Sequence, residues 1–83
     1  MNIALDYDGT YTADPELWDK FISLFHGKHD VWIVTMRCMN EPIEIDHQCI
    51  YTARKAKKVF CAGIGTNFDI WIDDNPEWLF KDG

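Results

Sequence analysis

Two short segments, residues 2–6 and Val31–Thr35, are apolar with almost no polar alternation. They are too short for helices and suit strands covered on both faces. Gln48–Thr52 and Phe68–Ile72 read as two more strands. Between the first pair the period changes. Leu17, Trp18, Phe21, Ile22, Leu24 and Phe25 recur at three- and four-residue spacing, a broad apolar stripe for a helix packed on a sheet. Asp14-Pro15-Glu16 predicts its start, with Asp14 as cap and Pro15 at the first helical position, and Gly27 predicts its end after about His26. A second helix is expected from about Ala53 to Ala62, stopping at Gly63, with Ala53, Ala56 and Phe60 on its buried face. Met36–His47 follows neither period: a short helix begun at Pro42 and an extended Ile43–Asp46 suit it equally. The tail from Glu77 to Gly83 predicts a helical turn docking Trp78, Leu79 and Phe80 on the body.

Strands alternating with helical connections predict an α/β domain with a parallel sheet and right-handed crossovers. Ligands of such sheets bind beyond the carboxyl ends of the strands. Topology alone therefore gathers Asp6, Thr35, the Thr52–Lys58 segment, Asp73 and Asp74 on one edge.

Bulk properties narrow the picture. A chain of 83 residues is read as one domain with one core and one layer of covering helices. Its formal net charge of −6 argues against a general nucleic-acid surface, though not against a phosphate-bearing substrate, since Lys55, Lys57 and Lys58 concentrate positive charge locally. Cys38, Cys49 and Cys61 form neither a metal pair nor a disulfide framework and read as reduced thiols. His26 and His29 flank Gly27 without a third ligand, which favours solvent over zinc. The start has no leader-like pattern, and no apolar run approaches the ~20 residues of a membrane span. The expectation is a cytoplasmic protein without membrane contact.

Asp6-Tyr7-Asp8-Gly9-Thr10 sits at the exit of the first strand. Alternation puts Asp6 and Asp8 on the same side, and Gly9 allows a sharp turn. Acids held so close repel, and a divalent cation, a shared proton or water at an exposed edge would offset that; the cation, shared with Asp73, is the expectation. Together these groups can run phosphoryl transfer. Asp6 would attack phosphorus, and Asp8 would protonate the leaving oxygen and then activate water. Mg²⁺ would sit on Asp6, the Asp8 backbone carbonyl and Asp73, with Asp74 orienting Asp73 or binding a metal water. Thr35 and one lysine would hold phosphoryl oxygens. Lys57 is chosen, while Lys55 and Lys58 stay open. Arg37, just past Thr35, is a candidate for a substrate phosphate or for a plain surface role.

These residues resemble the haloacid dehalogenase superfamily of phosphohydrolases. Asp6 to Thr10 looks like its first motif, Thr35 its second, a lysine within 52–58 its third and Asp73-Asp74 its fourth, in the right order along the whole chain. The stretch Ile72 to Pro76 is also similar to the metal-binding end of its C-terminal-domain-type phosphatases. The resemblance implies a Rossmann-like three-layer sandwich with a sheet of about four strands in the order 3-2-1-4, and a single minimal domain over residues 1–83. It implies catalytic Asp6, Asp8, Thr35 and Lys57, substrate contacts from Gly9, Thr10, Thr35, Arg37 and Lys57, and Mg²⁺ on Asp6, Asp8, Asp73 and Asp74. Thr10 is only four residues from Asp14, so the cap domain usual in the family has no room there. An open site admits a small molecule, a nucleic-acid end or a phosphoprotein. Two rival readings are a catalytically weak module that binds metal or phosphate and acts through a partner, and a signalling receiver domain, which the order of the acids opposes.

Overall fold

The computed structural model describes residues 1–83. Four strands, β1 (Asn2–Asp6), β2 (Asp30–Thr35), β3 (Cys49–Tyr51) and β4 (Ile70–Ile72), form one sheet in the order β3-β2-β1-β4. All pairings are parallel, with Leu5 opposite Ile33 on one side and Ile72 on the other. The connections carry α1 (Pro15–Phe25) and α2 (Lys57–Gly63), and single 3-10 turns follow β1 and β4 at Tyr11–Ala13 and Pro76–Leu79. This is an α/β fold. From β1 the chain moves outward to β2 and β3, then returns to the far side of β1 as β4. The loops leaving β1 and β4 therefore diverge at the switch in strand order, where a crevice opens.

Alternate residues of the central strands feed two core clusters. Ile3, Leu5, Val31 and Ile33 are covered by Trp18, Phe21, Ile22 and Phe25 of α1, while Ala4 and Val34 meet Cys61 of α2 with Trp32, Phe68 and Trp71 around them. Trp32 and Trp71 are half-buried. Asp14 caps α1, its Oδ1 accepting from Leu17 N at 3.2 Å, and Gly27 takes a left-handed φ of 82° beyond its end. The apolar stripe is narrower than expected, since Leu17 and Leu24 are exposed. They stand roughly 90–110° around the helix from the centre of the packed face, past the reach of a narrow sheet.

The expected helix from Ala53 begins instead at Lys57. Ala53 and Arg54 adopt left-handed φ values of 52° and 66°, forming a turn in which Thr52 Oγ1 donates to Lys55 O at 2.9 Å. Ala53 is exposed, and the inward face of α2 is Ala56, Lys57 and Cys61. Ala56, the residue before the helix, has no side chain able to cap it; its N–H donates to Asp82 Oδ1 at 2.7 Å, so the chain's tail pins the start of α2. Residues 36–48 contain neither helix nor strand and run as bends, a turn and irregular chain, with Ile43 and Ile45 packed on the α1-side core. In the tail Leu79 is buried and Trp78 half-buried, but Phe80, just past the four-residue 3-10 segment, is exposed. No helix is long and apolar enough to cross a membrane.

Candidate active site

The carboxyl edge of the sheet holds four functional groups, each delivered by the end of a strand or the helix after it. Asp6 closes β1, Thr35 closes β2, Lys57 opens α2 after β3, and Asp73 follows β4. Parallel pairing brings them together across residues far apart in sequence. Lys57 Nζ lies 2.6 Å from Asp6 Oδ1 and 2.6 Å from Asp73 Oδ2, with the side chains of all three at most 7% exposed. A lysine this buried is rare unless paired. Here it is the counterion of two acids. Lys55 instead lies 3.9 Å from Asp82, and Lys58 lies over the Phe80 ring, so neither reaches the acids.

Three carboxylates, those of Asp6, Asp73 and Asp74, offer oxygens within 4.8 Å of one another and could hold a metal ion. A single ammonium does not balance them. Burial pushes the Asp6 carboxyl up to about 6; Lys57 pulls it down, and neighbouring Asp74 and Asp73 push it up further. Hard oxygen donors carrying surplus negative charge fit a hard divalent cation. Thr10 knits the cluster: its hydroxyl lies 3.0 Å from Asp6 Oδ2 and 3.2 Å from Asp74 Oδ1, and accepts from Asp74 N at 3.2 Å. Gly9, at φ 89°, is required twice over, because a Cβ there would also fall on the Asp74 carboxylate.

Asp8 stands apart. Its carboxylate takes a forked pair of hydrogen bonds from Arg37, 3.0 Å from Nε and 2.8 Å from Nη2, and that guanidinium stacks over Tyr7 at 5.1 Å. The hydrogen bond from Arg37 holds the Asp8 carboxyl below the usual carboxylate range. Its side chain is therefore not one of the three carboxylates that could hold a metal ion, and the contact expected of Asp8 there is through its backbone carbonyl. Arg37, in turn, pairs with Asp8 through its Nε/Nη2 edge and stays one-third exposed at the cavity wall. Thr35 is fully buried, its Oγ1 accepting from Arg37 N at 3.3 Å, and its carbonyl accepts from Thr52 N at 2.8 Å.

A cavity of about 240 Å³ opens over these residues, with Asp6, Thr35, Lys57 and Asp73 lining it together with Asp8 and Arg37. It also exposes Arg54, Met36, Asn75 and Trp78, none of which the sequence singles out as site residues. Arg54 reaches it from the left-handed turn before α2, a conformation that costs about 1–3 kcal/mol for a residue with a side chain. Its Nη2 donates to both Glu41 oxygens at 3.0 Å, and its Nη1 donates to Met36 O at 3.2 Å. Nothing in the local sequence separates Arg54 from the three neighbouring lysines, and the helix expected there would have aimed it elsewhere. Asn75 N donates to Asp73 Oδ1 at 2.9 Å, which orients that carboxylate.

Compared with family models, curated proteins and solved structures, the chain has no match. The reading of this site therefore rests on its own geometry.

Proposed function

We propose that the chain is a Mg²⁺-dependent phosphomonoester hydrolase of the haloacid dehalogenase type, a single three-layer α/β domain with an open site and no cap. The observation that carries this reading is Asp6: a buried carboxylate at the end of the central strand, 2.6 Å from Lys57 Nζ and touching a cluster with Asp73 and Asp74, on the floor of a cleft shared with Thr35. Asp6 would attack phosphorus, forming a carboxylate–phosphorus bond as the ester oxygen leaves, and water would then cleave the aspartyl phosphate. Lys57 and the Thr35 hydroxyl would bear on the phosphoryl oxygens, and the backbone around Gly9 and Thr10 would close the site beside them. Held by Asp6, Asp73 and Asp74, Mg²⁺ would supply the positive charge that offsets repulsion between those acids and the incoming phosphate.

Asp8 would give a proton to the leaving oxygen and take one from the attacking water. In the resting arrangement it is a poor acid, because Arg37 holds it ionised. The role requires Arg37 to turn from Asp8 to the substrate, a short swing for a side chain already at the cavity wall. The same forked pair favours a second reading, a slow or inactive module that binds metal or phosphate and acts through a partner. Hydrolysis of phenyl phosphate, with Mg²⁺ and with EDTA, separates the two. The hydrolase reading expects Mg²⁺-dependent turnover that Asp6→Asn lowers at least about 10³-fold with the fold intact. Full activity in Asp6→Asn overturns it, and Mg²⁺-dependent binding without turnover supports the second reading.

A further inference from the structure

A single phosphoryl group seated at Asp6, Thr35 and Lys57 does not need both of the arginines that line the same cavity. Arg37 and Arg54 come from different connections, yet they are tied into one rim. Ala53 N donates to Arg37 O at 3.3 Å, Arg54 N donates to Met36 O at 2.8 Å, and Gly83 N donates to Arg54 O at 2.8 Å. Both side chains remain accessible, 33% and 51% exposed, and each holds one partly exposed acid, Asp8 for Arg37 and Glu41 for Arg54. Exposed pairs of this kind hold weakly. A guanidinium, meanwhile, presents the planar fork that matches a phosphate or carboxylate.

We propose that Arg37 and Arg54 form a second anion subsite at the mouth of the cleft, so that the substrate is a phosphomonoester carrying a further phosphate or carboxylate. The proposal rests on the phosphohydrolase reading for the first group and adds the second. On binding, Arg54 exchanges Glu41 for the distal anion, and Arg37 exchanges Asp8 for the same group, which also frees Asp8 to face the ester oxygen. Met36 and Trp78, on the same wall, would flank the body that joins the two anions.

Non-hydrolysable phosphonates read the subsite whether or not the protein turns over. Dissociation constants would be measured calorimetrically in Mg²⁺ for methylphosphonate and benzylphosphonate, and for their doubly anionic counterparts phosphonoacetate, 4-carboxybenzylphosphonate and p-xylylenediphosphonate. At least one doubly anionic probe is expected to bind about tenfold tighter than its singly anionic partner, the lower end of what a charged hydrogen bond contributes. The carboxylate and diphosphonate arms identify which anion is preferred. Arg54→Gln is expected to cut the advantage to within about twofold, and Arg54→Lys to retain part of it. Glu41→Gln, which removes the competing acid, is expected to enlarge it. No advantage for any probe in the wild type, an undiminished advantage in Arg54→Gln, or a smaller one in Glu41→Gln overturns the subsite. If Arg54→Gln does not fold, Arg54→Lys and Glu41→Gln decide by the same criteria. Failure to hydrolyse phenyl phosphate, with the advantage intact, speaks against the hydrolase reading alone.

Discussion

Asp6 and Asp8 are two residues apart and line the same cleft, yet its floor and its rim treat them in opposite ways. On the floor, Asp6 is buried with one lysine against three carboxylates, and its carboxyl is pushed up to about 6. On the rim, Asp8 is half in solvent under a forked arginine, and its carboxyl is held low. Their spacing in the sequence says nothing of this. What separates them is the supply of counter-charge: Lys57 is divided between Asp6 and Asp73, whereas Arg37 serves Asp8 alone. The floor is left wanting positive charge, which suits a site meant to receive a cation. The rim is balanced, so an arriving anion must compete for its arginines.

The strongest way to break this contrast is to remove the shared ammonium. Lys57→Met keeps the volume and leaves Asp6 and Asp73, each with a side chain under 8% exposed, without their cation. We expect a loss of about 3–5 kcal/mol at pH 8 in EDTA, the usual consequence of stranding a buried charge. Because Lys57 holds the Asp6 carboxyl down, its removal raises that carboxyl further, so the lost stability should return as pH falls and Asp6 takes up its proton. Mg²⁺ at pH 8 should restore part of it. Urea unfolding across these conditions checks all three, and an unchanged midpoint at pH 8 would show that the ammonium is not the counterion of the floor.

A smaller effect should be visible in the wild type. Folded Asp6 has a carboxyl at about 6 against 3.8 unfolded, so the folded state binds the proton more tightly. Stability from this group is present at low pH and is lost as pH rises from about 4 to 6, by roughly 2–3 kcal/mol, and the curve is flat above. Asp8 and Glu41, whose carboxyls are held low, act in the other direction and only as pH falls below the ordinary carboxylate range. Asp6→Asn should abolish the slope, so the difference between the two proteins in EDTA isolates it. Parallel curves would mean that Asp6 titrates normally.

How far the sequence reaches follows from the same physics. The apolar runs of β1 and β2, the Asp14-Pro15 start of α1 and the Gly27 stop all act within a few residues of chain, and the structure has them at or within a residue of the expected places. The strand order places Asp6, Thr35 and Asp73 at one edge for reasons of connectivity alone. The start of α2 is illegible in the sequence because its determinants are remote: Ala53 and Arg54 are good helix formers held in a left-handed turn by Met36 and Arg37 after β2 and by the tail, and Asp82 accepts from Ala56 N just before the helix. Arg54 entered the cleft through that same turn. The pairing of Arg37 with Asp8 was equally out of reach, since it depends on how the loop after β2 folds over Tyr7.

Thr10 ties two of the floor's carboxylates together, and replacing it probes that link. Thr10→Val keeps the shape but removes the hydroxyl that bridges Asp6 Oδ2 and Asp74 Oδ1 and accepts from Asp74 N. We expect about 1–2 kcal/mol of lost stability without metal, from polar groups left unmatched in a partly buried place. Mg²⁺ affinity should fall as well, because Asp74 is exposed and is steered by this contact. Unchanged stability and Mg²⁺ affinity would assign the cluster's geometry to Gly9 and the backbone instead.

The smallest effect on stability, and the most specific test of the contrast, comes from the rim. Arg37→Gln removes a pair whose side chains are 33% and 56% exposed, so stability should change by less than about 1 kcal/mol. The Asp8 carboxyl should nevertheless rise toward the ordinary carboxylate value, since the hydrogen bond from Arg37 is the main cause of its depression. Carboxyl carbon NMR reads both acids in one titration. Asp6 should move little, because its environment is set by burial, Lys57 and the other acids. If Asp8 stays low without Arg37, the rim is not governed by that pair, and the reason for Asp8 to await a substrate anion disappears with it. If Asp6 shifts as much as Asp8, floor and rim are one electrostatic unit rather than two.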